Sequence, residues 1–256
     1  SNKSFGELWG ELINKFILLN NYNMKMKVDI WSDVRCPFCF VGKRKFEKAL
    51  QQFPHAENIS ITWHSFQLDP TLKTQPNRDA MDFFTEAKNI SLAQAEQMHE
   101  HAKKAGKEAG INFNFEHQKV ANSFRGHLLI QLAKTKNLGN EIEEALFHAQ
   151  FIDAKNIDDV PTLIQIGNSV GLDENEIQDA LVSDDFKYRV NEDQQMAQQL
   201  GINAVPFFVL NDKYGVSGAQ QPELFLEVLQ KAYEEFAKGD DGLKILSQGD
   251  HCDCNG

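Results

Sequence analysis

Apolar positions along the chain change period three times. Lys27 to Ser32 (KVDIWS) is rich in β-branched and aromatic residues and predicts a strand. After a short loop, the pattern from Pro37 to Gln52 is helical. Pro37 stands at the first helical position, where its missing N–H is no loss, and Phe53-Pro54 ends the run. Ile59 to Phe66 (ISITWHSF) reads as a second strand, so the three elements form a β-α-β unit with a crossover long enough for parallel strands. A long helical stretch follows. Ser91-Leu-Ala-Gln94 is a capping box that opens a helix running towards Gly110. Further helices are predicted at Phe124–Lys136, Glu141–Phe151, Asp158–Val170, Glu174–Leu181 and Asp184–Leu200, with Gly171 and Gly201 as stops. Strand character returns at Phe207–Leu210 and Tyr214–Val216, around the turn Asn211-Asp212. A last helix runs from Pro222 to Ala237.

This order predicts an α/β chain with one sheet interrupted by an all-helical insertion. Residues 27–78 and 201–238 supply the β-α-β and β-β-α parts, and 79–200 the helical domain. Residues 239–256, rich in Gly and Asp, read as a flexible tail. Residues 1–26 form an extension. Phe5, Leu8, Trp9, Leu12, Ile13, Phe16 and Ile17 recur there at helical spacing, which predicts an amphipathic helix that packs on the fold or docks elsewhere. The start at Ser1-Asn2 is also what a cleaved fusion or a processed end leaves, with Met24 or Met26 as alternative native starts.

Composition narrows the function. Hydrophobic residues make up 41% of the 256 positions and charged ones 25%, enough for a sizeable core. Lys+Arg number 26 against 37 Asp+Glu, a net charge of −11, which argues against a general nucleic-acid binder. No run of about 18 apolar residues exists, so no membrane helix is expected. The start lacks a basic region leading into an apolar core, and the expected compartment is the reducing cytoplasm, where a disulfide is transient rather than structural. No internal repeat is visible, and the chain is expected as a monomer or homodimer.

Four cysteines are too few for a disulfide scaffold, but they come in two close pairs, Cys36/Cys39 and Cys252/Cys254. Cys36-Pro37-Phe38-Cys39 stands between a predicted strand and helix. At a helix N-terminus, unpaired N–H groups and the macrodipole favour the thiolate, which is the nucleophile of disulfide exchange. Cys36 would attack and Cys39, one turn along, would resolve. Three plainer readings compete: buried core cysteines, a static disulfide, and a zinc site completed by Cys252 and Cys254. The single residue inside the second pair suits zinc poorly, and no metal or resident cofactor is expected.

The pair together with Ala204-Val205-Pro206-Phe207-Phe208 and the helical insertion resembles the DsbA-like branch of the thioredoxin superfamily. Within it, the chain looks most like the FrnE-like group of dithiol oxidoreductases. The matching stretches are VDIWSDVRCPFCFVGKRKFE, FQLDP at Phe66–Pro70, NSFRGHLL at Asn122–Leu129 and AQQLGINAVPFFVLNDKYGVSGAQ at Ala197–Gln220. The resemblance implies a thioredoxin fold with a cis peptide before Pro206. That proline would lie opposite Cys36 and turn the Val205 backbone towards a substrate chain. It makes Cys36, Cys39 and Pro206 the expected catalytic residues and Pro37, Phe38, Val205 and Phe207 the expected substrate contacts. Substrates would be protein or peptide thiols and disulfides, with external thiols such as glutathione as redox partners. The dipeptide between the cysteines is usually Pro-Trp in this group and Pro-His in the strongly oxidising periplasmic relatives. Phe38 cannot stabilise a thiolate by charge, so the couple should be less oxidising than the roughly −120 mV of the periplasmic oxidant.

Other candidates are weaker. Asp29, Asp33 and His64 are candidate proton carriers for Cys39. Arg35, beside Cys36, would favour a thiolate or simply be solvated. Asn122 reads as a helix N-cap first and a pocket residue second. Phe38, Phe40 and Phe207 are candidate linings of an apolar groove. Cys252 and Cys254 would form a strained, easily reduced ring and serve as a secondary redox pair, loosely hold a soft metal with His251, or remain two thiols without a role. Two further functions stay open beside disulfide exchange: a glutathione-dependent transferase or isomerase like the kappa-class relatives, and a non-catalytic peptide-binding module. The sequence does not give the direction of net redox flux.

Overall fold

Val28 and Ile30 are fully buried in strand β1 (Met26–Ser32), and Trp31, on its opposite face, is buried too. A strand buried on both faces is a central one. The computed structural model describes residues 25–238 and, beyond them, the backbone of Lys244–Gln248 and Cys252–Asp253. The amphipathic segment expected over Phe5–Ile17 lies outside the described residues. After β1 come helix α1 (Pro37–Gln52) and strand β2 (Ile59–Ser65), which pairs parallel with β1 and sets Trp31 against His64.

Seven helices follow: α2 (Ala80–Lys88), α3 (Leu92–Glu108), α4 (Phe124–Thr135), α5 (Gly139–Phe151), α6 (Val160–Ser169), α7 (Glu174–Val182) and α8 (Asp184–Gln199). The two-residue strand β3 (Ala204–Val205), the hairpin of β4 (Phe207–Leu210) and β5 (Tyr214–Ser217), and helix α9 (Pro222–Lys238) return the chain to the sheet. Strands β6 (Lys244–Gln248) and β7 (Cys252–Asp253) come last among the described residues. The larger sheet runs β2-β1-β4-β5-β6, while β3 and β7 form a separate antiparallel pair.

Helix α2 is absent from the sequence reading: it is only nine residues long, and none of them is buried. Its cap was legible: the Asp79 carboxylate accepts the Met81 and Asp82 amides at 2.9 Å each. Where composition points to an irregular tail, the structure places β6 on the sheet edge, parallel to β5, and β7 against β3.

Apolar contacts on two sides fix the cysteine-bearing helix. On one side, Phe46 of α1 meets Phe208 and Phe225 at ring separations of 5.4 Å each. On the other, Phe40 stacks on Phe147 of α5 at 5.0 Å. Each such pair contributes about 0.5–1.5 kcal/mol beyond its buried area. The same α1–α5 seam carries Lys43, 2% exposed, between Glu47 at 2.5 Å and Glu144 at 2.9 Å. The start of α1 is thus held between the sheet and the helical segment.

Candidate active site

Cys36 is the N-cap of α1, with φ −91° and ψ 112°. Its amide donates to Asp33 O at 2.9 Å, and its sulfur accepts the Cys39 amide at 3.3 Å. A sulfur in the capping position, with no acidic residue in the first turn of α1, gains both an N–H and the positive end of the helix. This arrangement favours a thiolate. The Cys36 thiol donates to Val205 O across 3.6 Å, and the Val205–Pro206 peptide is cis. The structure therefore brings Cys36, Cys39, Val205 and Pro206 together. Cys36 and Cys39 are both buried.

Gly42, which no sequence pattern singled out, makes this approach possible. A Cβ there would sit 2.9 Å from Pro206 Cγ and 3.4 Å from Phe208 Cζ. Alanine normally stabilises a helix interior by about 1 kcal/mol over glycine. In Gly42→Ala the rigid proline ring cannot yield, so a net loss of about 1–3 kcal/mol is expected in chemical denaturation. A stabilised variant would refute this packing.

The loop from Ser32 to Cys36 is held by buried polar groups. The Ser32 hydroxyl donates to Glu143 Oε1 on α5 at 2.6 Å. Asp33 accepts the Arg35 amide at 3.0 Å and the Leu68 amide at 2.8 Å. Burial works to raise the Asp33 carboxyl, but His127, Arg35 and the Leu68 amide overcome it and hold it below the usual value. Burial lifts the Glu143 carboxyl to about 7, against the opposing pull of Ser32, His127 and Lys43. His127 is buried on α4, with Nε2 3.6 Å from Asp33 Oδ1, and neither ring nitrogen has a hydrogen-bond partner among the described residues. Sequence reasoning named Asp33 and missed Glu143 and His127. The signals were a Glu on the apolar face of α5 and the His of the NSFRGHLL stretch.

Asp29 and His64, the other expected proton carriers, meet each other and a third group. His64 Nε2 lies 2.7 Å from Asp29 Oδ1 and Nδ1 lies 2.6 Å from Asp193 Oδ1 on α8. Its ring stacks on Trp31 at 4.5 Å, and the Trp31 indole N–H donates to Asp193 O at 3.0 Å. Burial opposes the imidazolium, but the two carboxylates raise His64 above 6.5. Burial likewise opposes the Asp193 carboxylate, and His64 and Lys134 bring it below 3.8. The raised His64 adds stability that is complete below about 6.5 and lost as pH rises through its folded value. The lowered Asp193 adds stability that is lost as pH falls below 3.8. His64→Gln should therefore cost most near pH 5.5, about 3–5 kcal/mol, and clearly less at pH 9. Urea midpoints at the two pH values check this, and a pH-independent difference would contradict it.

Phe38 is half-buried beside His101, with ring centroids 5.7 Å apart, and Phe207 is 8% exposed. Phe40 does not line a groove: it is 1% exposed and belongs to the α1–α5 seam. Arg35 is half-buried, and its charge acts on Asp33. Asn122 accepts the Phe124 amide at 2.7 Å at the start of α4 and donates to Leu72 O at 2.8 Å, so it joins α4 to the segment after β2. Among the described residues no group of three or more His, Cys, Asp or Glu is disposed to hold a metal ion. The backbone of Cys252 pairs with Val205, and Cys254 lies outside the described residues.

Comparison with known proteins gives the family. A family model, the DSBA-like thioredoxin domain, matches residues 27–230. The chain is 28% identical over 209 residues to the uncharacterised protein YwbO of Bacillus subtilis (strain 168), covering 79% of this chain and 94% of that one. A probable DsbA oxidoreductase from Streptomyces coelicolor shares 32% identity with a TM-score of 0.76, over 87% of this chain and 94% of the other. The cytosolic disulfide reductase DsbM from Pseudomonas aeruginosa, solved with glutathione, shares the fold at 15% identity and a TM-score of 0.59, over 81% and 99% of the two chains. No helix among the described residues is long and apolar enough to cross a membrane. With its family model spanning the sheet and the helical segment alike, the chain belongs to the DSBA-like thioredoxin family and is an oxidoreductase.

Proposed function

We propose that the chain exchanges disulfides with cysteines of proteins or peptides, with Cys36 as nucleophile and Cys39 as resolving thiol. The observation that carries this reading is the Cys36 sulfur in the capping position of α1, 3.3 Å from the Cys39 amide and 3.6 Å from Val205 O. In the reductive direction, the Cys36 thiolate attacks one sulfur of a substrate disulfide, and the other leaves as a thiolate and takes up a proton. Cys39 then loses its proton and attacks the Cys36 sulfur, which frees the reduced substrate and closes the Cys36–Cys39 disulfide. Two molecules of an external thiol such as glutathione restore the dithiol and leave as their own disulfide. The same steps reversed would oxidise a substrate.

Pro37, Phe38, Val205 and Phe207 are the proposed substrate contacts, with the Val205 backbone as a pairing edge; Phe38, Val205 and Phe207 belong to the same apolar cluster as Cys36. Cys252 and Cys254 are assigned as an internal partner of the same chemistry, because the backbone of Cys252 lies opposite Val205. We place the reaction in the cytoplasm, a compartment where glutathione is abundant; the fold is shared with a reductase that is itself cytosolic.

Turnover of a disulfide-bonded peptide in excess glutathione tests the reading, with sustained, thiol-dependent cleavage as the expected result. Peptide binding without turnover would replace the enzyme by a binding module. Glutathione conjugation without disulfide cleavage would move the chain towards the kappa-class activity.

A further inference from the structure

Glu143 comes from the helical segment, yet it meets the loop that carries the nucleophile. Ser32 donates to it at 2.6 Å, and from Ser32 onward that loop is tied down. Ser32 O accepts the Phe66 amide at 3.0 Å, both Asp33 carboxylate oxygens accept amides, and Asp33 O accepts the Cys36 amide at 2.9 Å. A loop held in this way has little freedom to relax when a charge changes beside it. Glu143 and Cys36 are therefore tied to one loop through Ser32 and Asp33, in buried surroundings where like charges are poorly screened.

The groups around Glu143 leave it the natural place for an exchangeable proton. From the loop, Asp33 faces it as a second acid held ionised, with Arg35 beside Asp33. From α4 comes His127, buried and without a hydrogen-bond partner among the described residues. From α1 comes Lys43, already engaged by Glu47 and Glu144. On β2, His64 is taken up by Asp29 and Asp193. Helix α6, packed on α5, has no titratable residue.

We propose that Glu143 is a proton-holding positioning residue for the Cys36–Cys39 pair, protonated when the Cys36 thiolate is present and able to ionise when the disulfide is closed. The step balances as follows: the disulfide and ionised Glu143 accept two electrons and two protons, giving a Cys36 thiolate, a Cys39 thiol and neutral Glu143. The electrons come from the thiol that opens the disulfide. This rests on Cys36 being the thiolate nucleophile.

The equilibrium of the intact protein with glutathione, followed against pH, reads the proton count directly. Two glutathione thiols bring two protons. When Glu143 is already neutral in both states, one proton is released and the equilibrium constant rises tenfold per pH unit. When Glu143 takes up a proton on reduction, none is released and the constant is flat. Burial sets the changeover at about 7. Wild type should therefore rise with pH below about 7 and level off above it. Glu143→Gln should keep rising tenfold per unit through that range. Ser32→Ala, which removes the hydroxyl that favours the carboxylate, should move the break to higher pH and still reports if Glu143→Gln fails to fold. A break that persists in Glu143→Gln, or the absence of a break in wild type, would overturn the proposal. The absorbance of the Cys36 thiolate, recorded in the same samples, separates that failure from the other: if Cys36 forms no thiolate or the pair does not exchange with glutathione, the exchange reading itself has failed.

Discussion

Cys36→Ser should lose disulfide exchange by at least about a thousandfold, because Cys39, one turn inside α1, lacks the capping position that favours a thiolate. Cys39→Ser should behave differently. It keeps the capped nucleophile and loses the group that resolves the intermediate, so mixed disulfides through Cys36 should accumulate and be visible on non-reducing gels and by mass. The two cysteines are almost equally buried, at 0% and 1% exposure, so burial does not distinguish them. Position does. The Cys36 sulfur accepts an N–H and stands at the positive end of α1, while Cys39 is one turn inside. Alkylation of the reduced protein near neutral pH should therefore label Cys36 well before Cys39. Equal labelling rates, or a Cys36→Ser variant that still turns over, would reject the assignment of nucleophile and resolving thiol.

Local chemistry made much of this readable from sequence. Helix α1 begins and ends where Pro37 and Phe53-Pro54 mark it, because proline at the first turn and a Phe-Pro step at the end act on their own backbone. Ser91 and Gln94 form the expected capping box. The parallel pairing of β1 with β2 follows from the crossover between them.

The buried polar groups were not readable in the same way, because their partners are remote. Ser32 meets Glu143 at a separation of 111 positions, and His64 meets Asp193 at 129. No spacing rule spans such distances. Asp29 and His64 were visible as unusual residues in strands, but not the Asp193 that takes up the other side of the ring. Gly42 was equally silent, since its role depends on a proline that arrives from the far side of the helical segment. Strand β7 was hidden for another reason: two residues carry no period, and the Gly- and Asp-rich stretch around them reads as loop.

Removing the chain after Lys238 should change the chemistry at Cys36, and the direction follows from where β7 lies. Its backbone pairs antiparallel with β3, with Val205 opposite Cys252 and Ala204 opposite Asp253. Val205 is also the residue whose carbonyl lies 3.6 Å from the Cys36 sulfur, and it is fully buried, as is Cys36. A substrate that pairs with the Val205 backbone needs the edge that β7 occupies. Truncation should therefore speed alkylation of Cys36 and lower the KM for a disulfide-bonded peptide, each by several-fold. If Cys252 and Cys254 are the internal partner, their disulfide is attacked by the Cys36 thiolate. A Cys36–Cys252 or Cys36–Cys254 bond forms, the other tail sulfur leaves as a thiolate, and Cys39 then displaces the tail and closes the Cys36–Cys39 disulfide. Cys39→Ser blocks the last step, so mild oxidation of that variant should give a crosslink from Cys36 to the tail, found by peptide mapping. The zinc alternative would instead leave one tightly bound metal per chain in the reduced protein and none after truncation. Should truncation leave alkylation and KM unchanged and no crosslink form, the tail takes no part, and the chemistry rests on Cys36, Cys39 and Pro206 alone.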